Sequence, residues 1–124
     1  MNLNRLKINE VWLMERIKIQ PILCGGDLNC YSVARAFHEE YGLKSIAFGR
    51  YYLGATKDSK IIDFRVTPDI TDPDKFVDIL LEEAKKHPAD VKLILMGCTD
   101  EYAELIIDKK DQLKEAFVLP YIDA

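Results

Sequence analysis

From residue 21 onward, short apolar runs alternate with segments whose apolar residues recur at helical spacing. Pro21-Ile22-Leu23-Cys24 reads as a short buried strand closed by Gly25-Gly26. Cys30, Val33, Ala34, Phe37 and Tyr41 then fall on one face of a helix, with Arg35, His38 and Glu39 on the other. Gly42 is placed to end that helix through a left-handed cap. Ser45-Ile46-Ala47-Phe48 is a second strand, Arg50 to Lys60 a polar loop, and Ile61 to Val66 a third strand. Asp72-Pro73 opens the clearest helix: an acidic cap, then a proline where the missing N–H is harmless. Phe76, Val77, Leu80, Leu81 and Ala84 line its apolar face, and Lys85-Lys86-His87 suit the negative end of its dipole. Lys92 to Gly97 is nearly continuous in apolar residues, as a central parallel strand requires. A helix capped by Thr99 and running through Ile107, then a last strand from Ala116 to Leu119, complete the series.

This alternation predicts an α/β fold, a Rossmann-like open sheet of parallel strands with helices on both faces. The first 20 residues read differently. They mix Arg5, Lys7, Glu10, Glu15, Arg16 and Lys18 with Leu6, Val11, Trp12, Leu13 and Ile17, which suits an amphipathic leading helix or arm. The expected division is therefore a leading arm over residues 1–20 and a sheet domain over 21–124. Trp12 packs on that domain or on another subunit, and in the second case the arm suggests a homodimer.

At 124 residues the chain has room for one core. Lys+Arg 17 against Asp+Glu 21 leaves a formal charge of -4, which argues against nucleic acid as a partner because phosphate binding needs a basic face. Cys24, Cys30 and Cys98 form no Cys-x-x-Cys pair, and with His38 and His87 they make no zinc pattern. Reduced thiols in a domain of this size fit a cytoplasmic protein. The apolar run Val11 to Met14 is too short for a signal sequence or a membrane span, so no membrane partner is expected.

In an open parallel sheet, ligands bind outside the carboxyl ends of the strands, where neighbouring crossovers diverge. Two exits stand out: Cys24-Gly25-Gly26-Asp27-Leu28-Asn29, and Gly97-Cys98-Thr99-Asp100. Each leads into a helix N-terminus, whose first N–H groups favour an acceptor. Neither exit carries a dinucleotide fingerprint, and no P-loop motif occurs anywhere in the chain. Asp27, Asp100 and Glu101 would also repel phosphate. The plain reading of Asp27, Asn29 and Thr99 is helix capping. The functional reading has them hold the amino or carboxylate group of a small substrate, and the two are compatible. Cys98 follows a central strand but has no histidine close in sequence to serve as its base. Ser32 lacks a nucleophile elbow, and the adjacent Tyr51 and Tyr52 suit a ligand wall or a docking surface.

The segment 21 to 37, PILCGGDLNCYSVARAF, followed by Tyr41-Gly42-Leu43-Lys44-Ser45, resembles the opening of ATP-grasp carboxylate–amine ligases of the D-aspartate ligase type. The segment 92 to 102, KLILMGCTDEY, and the closing Val118-Leu119-Pro120-Tyr121-Ile122 are similar to the same family. The resemblance runs from about Pro21 to Ile122 and omits the leading arm. It implies the N-terminal pre-ATP-grasp domain, a Rossmann-like sheet without a nucleotide site of its own. ATP and magnesium would belong to the remaining ATP-grasp domains of the same polypeptide. The full enzyme would activate a carboxylate as an acyl phosphate and join it to an amine; the D-aspartate ligases use this in a peptidoglycan cross-bridge.

On this chain the resemblance implies no catalytic residue, no cofactor ligand and no metal ligand. It implies an amino-acid or carboxylate substrate, with Gly25, Gly26, Asp27, Asn29, Cys98, Thr99 and Asp100 as its candidate contacts. Arg50, at the second strand's exit, reads first as a solvated arginine and alternatively as a partner for a substrate carboxylate. The alternative is a receiver-like or other protein-interaction module on the same kind of sheet. Such a module would want an acidic pair after the first strand, where Asp27 stands alone. A nicotinamide-binding domain would need the fingerprint that is missing.

Overall fold

The structure, a computed structural model, describes residues 18–25, 28–51 and 59–120. Most of the leading arm, with Trp12, lies outside the described residues, as do Gly26, Asp27 and Tyr52. Strand β1 is Lys18–Cys24, followed by helix α1, Leu28–Tyr41, and strand β2, Ser45–Gly49. Strand β3 is Ile62–Val66, helix α2 Pro73–Lys85, and strand β4 Val91–Gly97. Helices α3, Asp100–Asp108, and α4, Lys110–Leu113, close the series.

The sheet has four strands in the order β3-β2-β1-β4, and every neighbouring pair is parallel. The Rossmann-like expectation is met. Strand alternation divides the apolar residues between two faces. Leu23, Ala47 and Ile62 pack with Cys30 and Ala34 of α1 on one face. Ile22, Cys24, Ile46, Phe48, Leu93 and Leu95 pack with α2, α3 and α4 on the other, around Phe76, Leu80, Ile106 and Leu113.

Local chemistry sets the element ends much as expected. Gly42 turns the chain out of α1 at φ +67°, and its N–H donates to His38 O at 2.8 Å. Asp72 caps α2, its carboxylate accepting from the N–H groups of Asp74 and Lys75 at 3.1 and 3.3 Å. Thr99 stands at the cap position of α3 in extended conformation, but its hydroxyl makes no capping bond.

Two differences from the sequence reading have physical causes. Strand β1 begins at Lys18 rather than Pro21, because Lys18, Ile19 and Gln20 extend its ladder against Val91, Lys92 and Leu93. The strand expected from Ala116 to Leu119 shrinks to an isolated parallel bridge between Val118 and Ile94. Val118 donates to Leu93 O at 2.7 Å and accepts from Leu95 N at 3.0 Å. The next donor of that ladder would come from residue 120, and Pro120 has no N–H to give.

Candidate functional site

The helices that follow β1 and β4 leave the sheet on opposite sides. Strand β1 runs into α1 on one face, while β4 runs into α3 on the other, and β1 and β4 are neighbours. Their carboxyl ends therefore form the crevice at which an open parallel sheet takes its ligand. The two exits singled out by sequence meet there, with Cys24 paired to Gly97 and Cys98 N donating to Cys24 O at 3.0 Å.

Backbone hydrogen bonds continue beyond the strands and hold this edge. Gly25, buried at φ +133°, donates to Phe48 O at 2.7 Å, tying the exit of β1 to the end of β2. A side chain at Gly25 would be strained by that φ, and its Cβ would lie 3.3 Å from the Cβ of Cys98. The same Cβ would come within 3.9 Å of the Tyr102 ring. The floor of the crevice is thus Gly25, Cys98 and Tyr102. Gly97 permits something else: helix α3 lies directly on the β4 backbone, where a Cβ would stand 2.6 Å from Ala103 N.

Around this floor the remaining candidates differ in exposure. Thr99 is half-buried at the mouth of α3, and Asp100 is exposed in its first turn beside Glu101. Asn29 is exposed in the first turn of α1 rather than at its cap. Arg50 and Tyr51 are exposed at the exit of β2, the guanidinium 5.8 Å from the ring centroid. Among the described residues, no three His, Cys, Asp or Glu side chains come together as a metal site would require.

Burial pushes the Tyr102 phenol up to about 12, the nearby Cys24 adds to this, and Arg50 opposes it. Tyr102 is therefore a neutral hydrogen-bonding group across the physiological range, not a base. A phenol held more firmly in its protonated form when folded stabilises the fold below its ordinary value of 10.0, and that contribution fades as pH rises toward 12. In a spectrophotometric titration Tyr102 is expected to ionise late, as pH rises toward 12, with stability falling over the same interval. A Tyr102→Phe variant should remove the late phase; its persistence in that variant would contradict the assignment. Burial likewise drives the Cys24 thiol far up, with Cys30 adding to the shift, so Cys24 is not a nucleophile at neutral pH.

The sequence reading overlooked Tyr102 as part of the site. Its signal was present, since Tyr102 and Ile106 are four apart on the buried side of α3, directly after the second exit.

The fold defines a class: a Rossmann-like α/β domain with a crevice where the helices after β1 and β4 diverge. No family model matches the chain. The chain is 39% identical over 112 residues to a D-aspartate ligase of Enterococcus faecium (strain Aus0004). That match takes in 89% of this chain and 27% of the ligase, so the chain spans about a quarter of its relative's length. The resemblance to the D-aspartate ligase type is shown over most of this sequence.

Proposed function

We propose that this chain is the N-terminal, substrate-side domain of an ATP-dependent carboxylate–amine ligase, with D-aspartate as the carboxylate to be activated. The observation that carries the reading is the 39% identity to a D-aspartate ligase, joined to a crevice that brings both glycine-flanked exits together. In this reading the domain forms one wall of a cleft. ATP and magnesium are held by the remaining ATP-grasp domains, the amide forms through an acyl phosphate, and the product enters a peptidoglycan cross-bridge. Such chemistry places the protein in the cytoplasm, where ATP is available. No helix among the described residues is long and apolar enough to cross a membrane.

The chain's own residues bind and orient. Gly25 and Gly26 let a ligand approach the main chain. The first-turn N–H groups of α3 and the Thr99 hydroxyl donate to a substrate carboxylate, with the Cys98 backbone beside them. Asp27 and Asp100 attract its ammonium, and Asn29 offers a neutral amide. The same carboxylates repel a triphosphate, which leaves the nucleotide to the partner domains.

The test is a chimera in which this chain replaces the matching stretch of the Enterococcus faecium ligase. D-aspartate-dependent ATP hydrolysis should persist within about tenfold of the parent enzyme, the loss a slightly misplaced wall would cause. The isolated chain should show no heat of binding with magnesium-ATP in calorimetry. A folded but inactive chimera, or clear ATP binding by the chain alone, would overturn the reading.

A further inference from the structure

Gly25 lies between two side chains from different parts of the fold. On the α3 side the Tyr102 ring packs against it, since a Cβ at Gly25 would fall 3.9 Å from two of the ring carbons. On the other side the end of β2 closes on it. Gly25 N–H donates to Phe48 O at 2.7 Å, and a Cβ at Gly49 would stand 3.4 Å from Gly25 C. Arg50 is the next residue. Its charge reaches Tyr102, where it opposes the rise of the phenol that burial causes. Arg50 and Tyr102 therefore flank one point of the crevice. Arg50 is also the odd charge there. The other described side chains at the ends of β1, β2 and β4 are neutral or acidic, with Asp100 and Glu101 on the rim. Arg50 makes no ion pair among the described residues. Its guanidinium lies over the Tyr51 ring, 5.8 Å from the centroid, and both residues are exposed. An aromatic ring holds a guanidinium by its face, which leaves the N–H groups at the edge to grip a carboxylate through two parallel bonds.

Resting on the functional reading above, we propose that Arg50 and the Tyr102 hydroxyl hold the carboxylate of D-aspartate that does not react, and so select an acidic amino acid. Aspartate carries two carboxylates, and only one is activated. The donors of α3 serve one of them. The other needs a cation of its own, because Asp100 and Glu101 on the same rim would repel it. Arg50 supplies the charge and the planar fork that matches a carboxylate. Tyr102, only 7% exposed and neutral in the physiological range, adds a hydroxyl from the floor of the crevice. A neutral amino acid offers this pair nothing, so the pair separates aspartate from it by binding.

The chimera tests this through D-aspartate affinity, measured by calorimetry, and through steady-state kinetics. Arg50→Ala should weaken D-aspartate binding about thirtyfold and Tyr102→Phe about tenfold, the usual effect of losing hydrogen bonds to a charged group. KM for D-aspartate should rise in step while kcat stays within about threefold, as the loss of uniform binding requires. Arg50→Lys should bring affinity back to within about tenfold of the parent, because the charge returns without the fork. Arg50 is exposed and Tyr102→Phe keeps the buried ring, so both variants should retain the melting temperature at neutral pH. In the isolated chain, Arg50→Ala should delay the late ionisation of Tyr102 further, since a nearby cation favours the phenolate. Unchanged D-aspartate affinity in Arg50→Ala overturns the proposal, as does a fall in kcat with KM unmoved. If the chimera does not fold, the titration decides, and a late phase that Arg50→Ala leaves in place overturns the pairing. Activity scores the functional reading separately. An active chimera whose affinity ignores Arg50 removes only this pair. A folded chimera that binds D-aspartate through Arg50 without hydrolysing ATP removes only the ligase chemistry.

Discussion

Replacing Gly97 by alanine is expected to destabilise the fold by about 3 kcal/mol, the upper part of the usual range for overpacking. For a chain of this length that lowers the melting temperature by roughly 10 °C. The added Cβ would stand 2.6 Å from Ala103 N, 2.8 Å from Tyr102 C and 3.0 Å from Ala103 Cα. All three are backbone atoms of α3, so no rotamer change relieves the contact; the helix must move off the strand. Movement of α3 takes Thr99, Asp100 and Tyr102 with it. The variant should therefore lose function in the chimera beyond what its stability predicts. Thermal unfolding followed by circular dichroism measures the first effect, and a loss below about 0.5 kcal/mol, the scatter of ordinary surface substitutions, would show that the close approach is not real.

Arg65→Ala is expected to produce a loss of similar size by an electrostatic route. Glu83 faces the core from α2 with its side chain only 3% exposed. Arg65 Nη1 of β3 donates to one of its oxygens, and His87 Nε2 lies 2.7 Å from the other. Lys86 Nζ is 3.7 Å away, and Arg65 also reaches Asp63 at 3.2 Å. Removing the guanidinium leaves a buried carboxylate with weaker partners, and breaking such a pair from one side destabilises by about 3 kcal/mol. Denaturant titration of Arg65→Ala measures this. The double variant Arg65→Met with Glu83→Leu should recover most of the loss, because a buried ion pair contributes little relative to well-packed apolar side chains. If the single variant unfolds like the parent, the carboxylate is hydrated and the network does not clip α2 to the sheet.

These two expectations mark where reading by pattern stopped. Helical spacing placed Phe76, Val77 and Leu80 on the inner face of α2, and all three are buried. The same spacing carries that face onward to Glu83, but a carboxylate among apolar residues gives no sign of its partner. Arg65 lies in a different element, and only the fold brings it across. On α1 the apolar stripe is real yet unevenly covered. Cys30 and Ala34 are fully buried, whereas Val33 and Phe37 are half-buried and Tyr41 is exposed. Amphipathic spacing shows which side of a helix faces the sheet, but not how far the sheet extends beneath it.

The candidate site divides in the same way. Gly25-Gly26 and Gly97 were visible as strand exits, because a glycine closing an apolar run is a local signal. Tyr102 under Gly25, and the contact of α3 with Gly97, are separations across the sheet that no local pattern records. The capping role expected of Thr99 reached only its backbone, since whether a hydroxyl turns inward depends on what surrounds it.

Sequence alone determined the parallel alternation, the ends of α1 and α2, and the two exits that line the crevice. Each of these follows from interactions within a few residues: periodic burial, capping and the conformational freedom of glycine. The tertiary structure decided the strand order that sets β1 beside β4, the reduction of the last strand to one bridge, the burial of Glu83 and the uneven cover of α1. These depend on which distant segments share a face, and that is set by packing of the whole sheet rather than by any local run of residues.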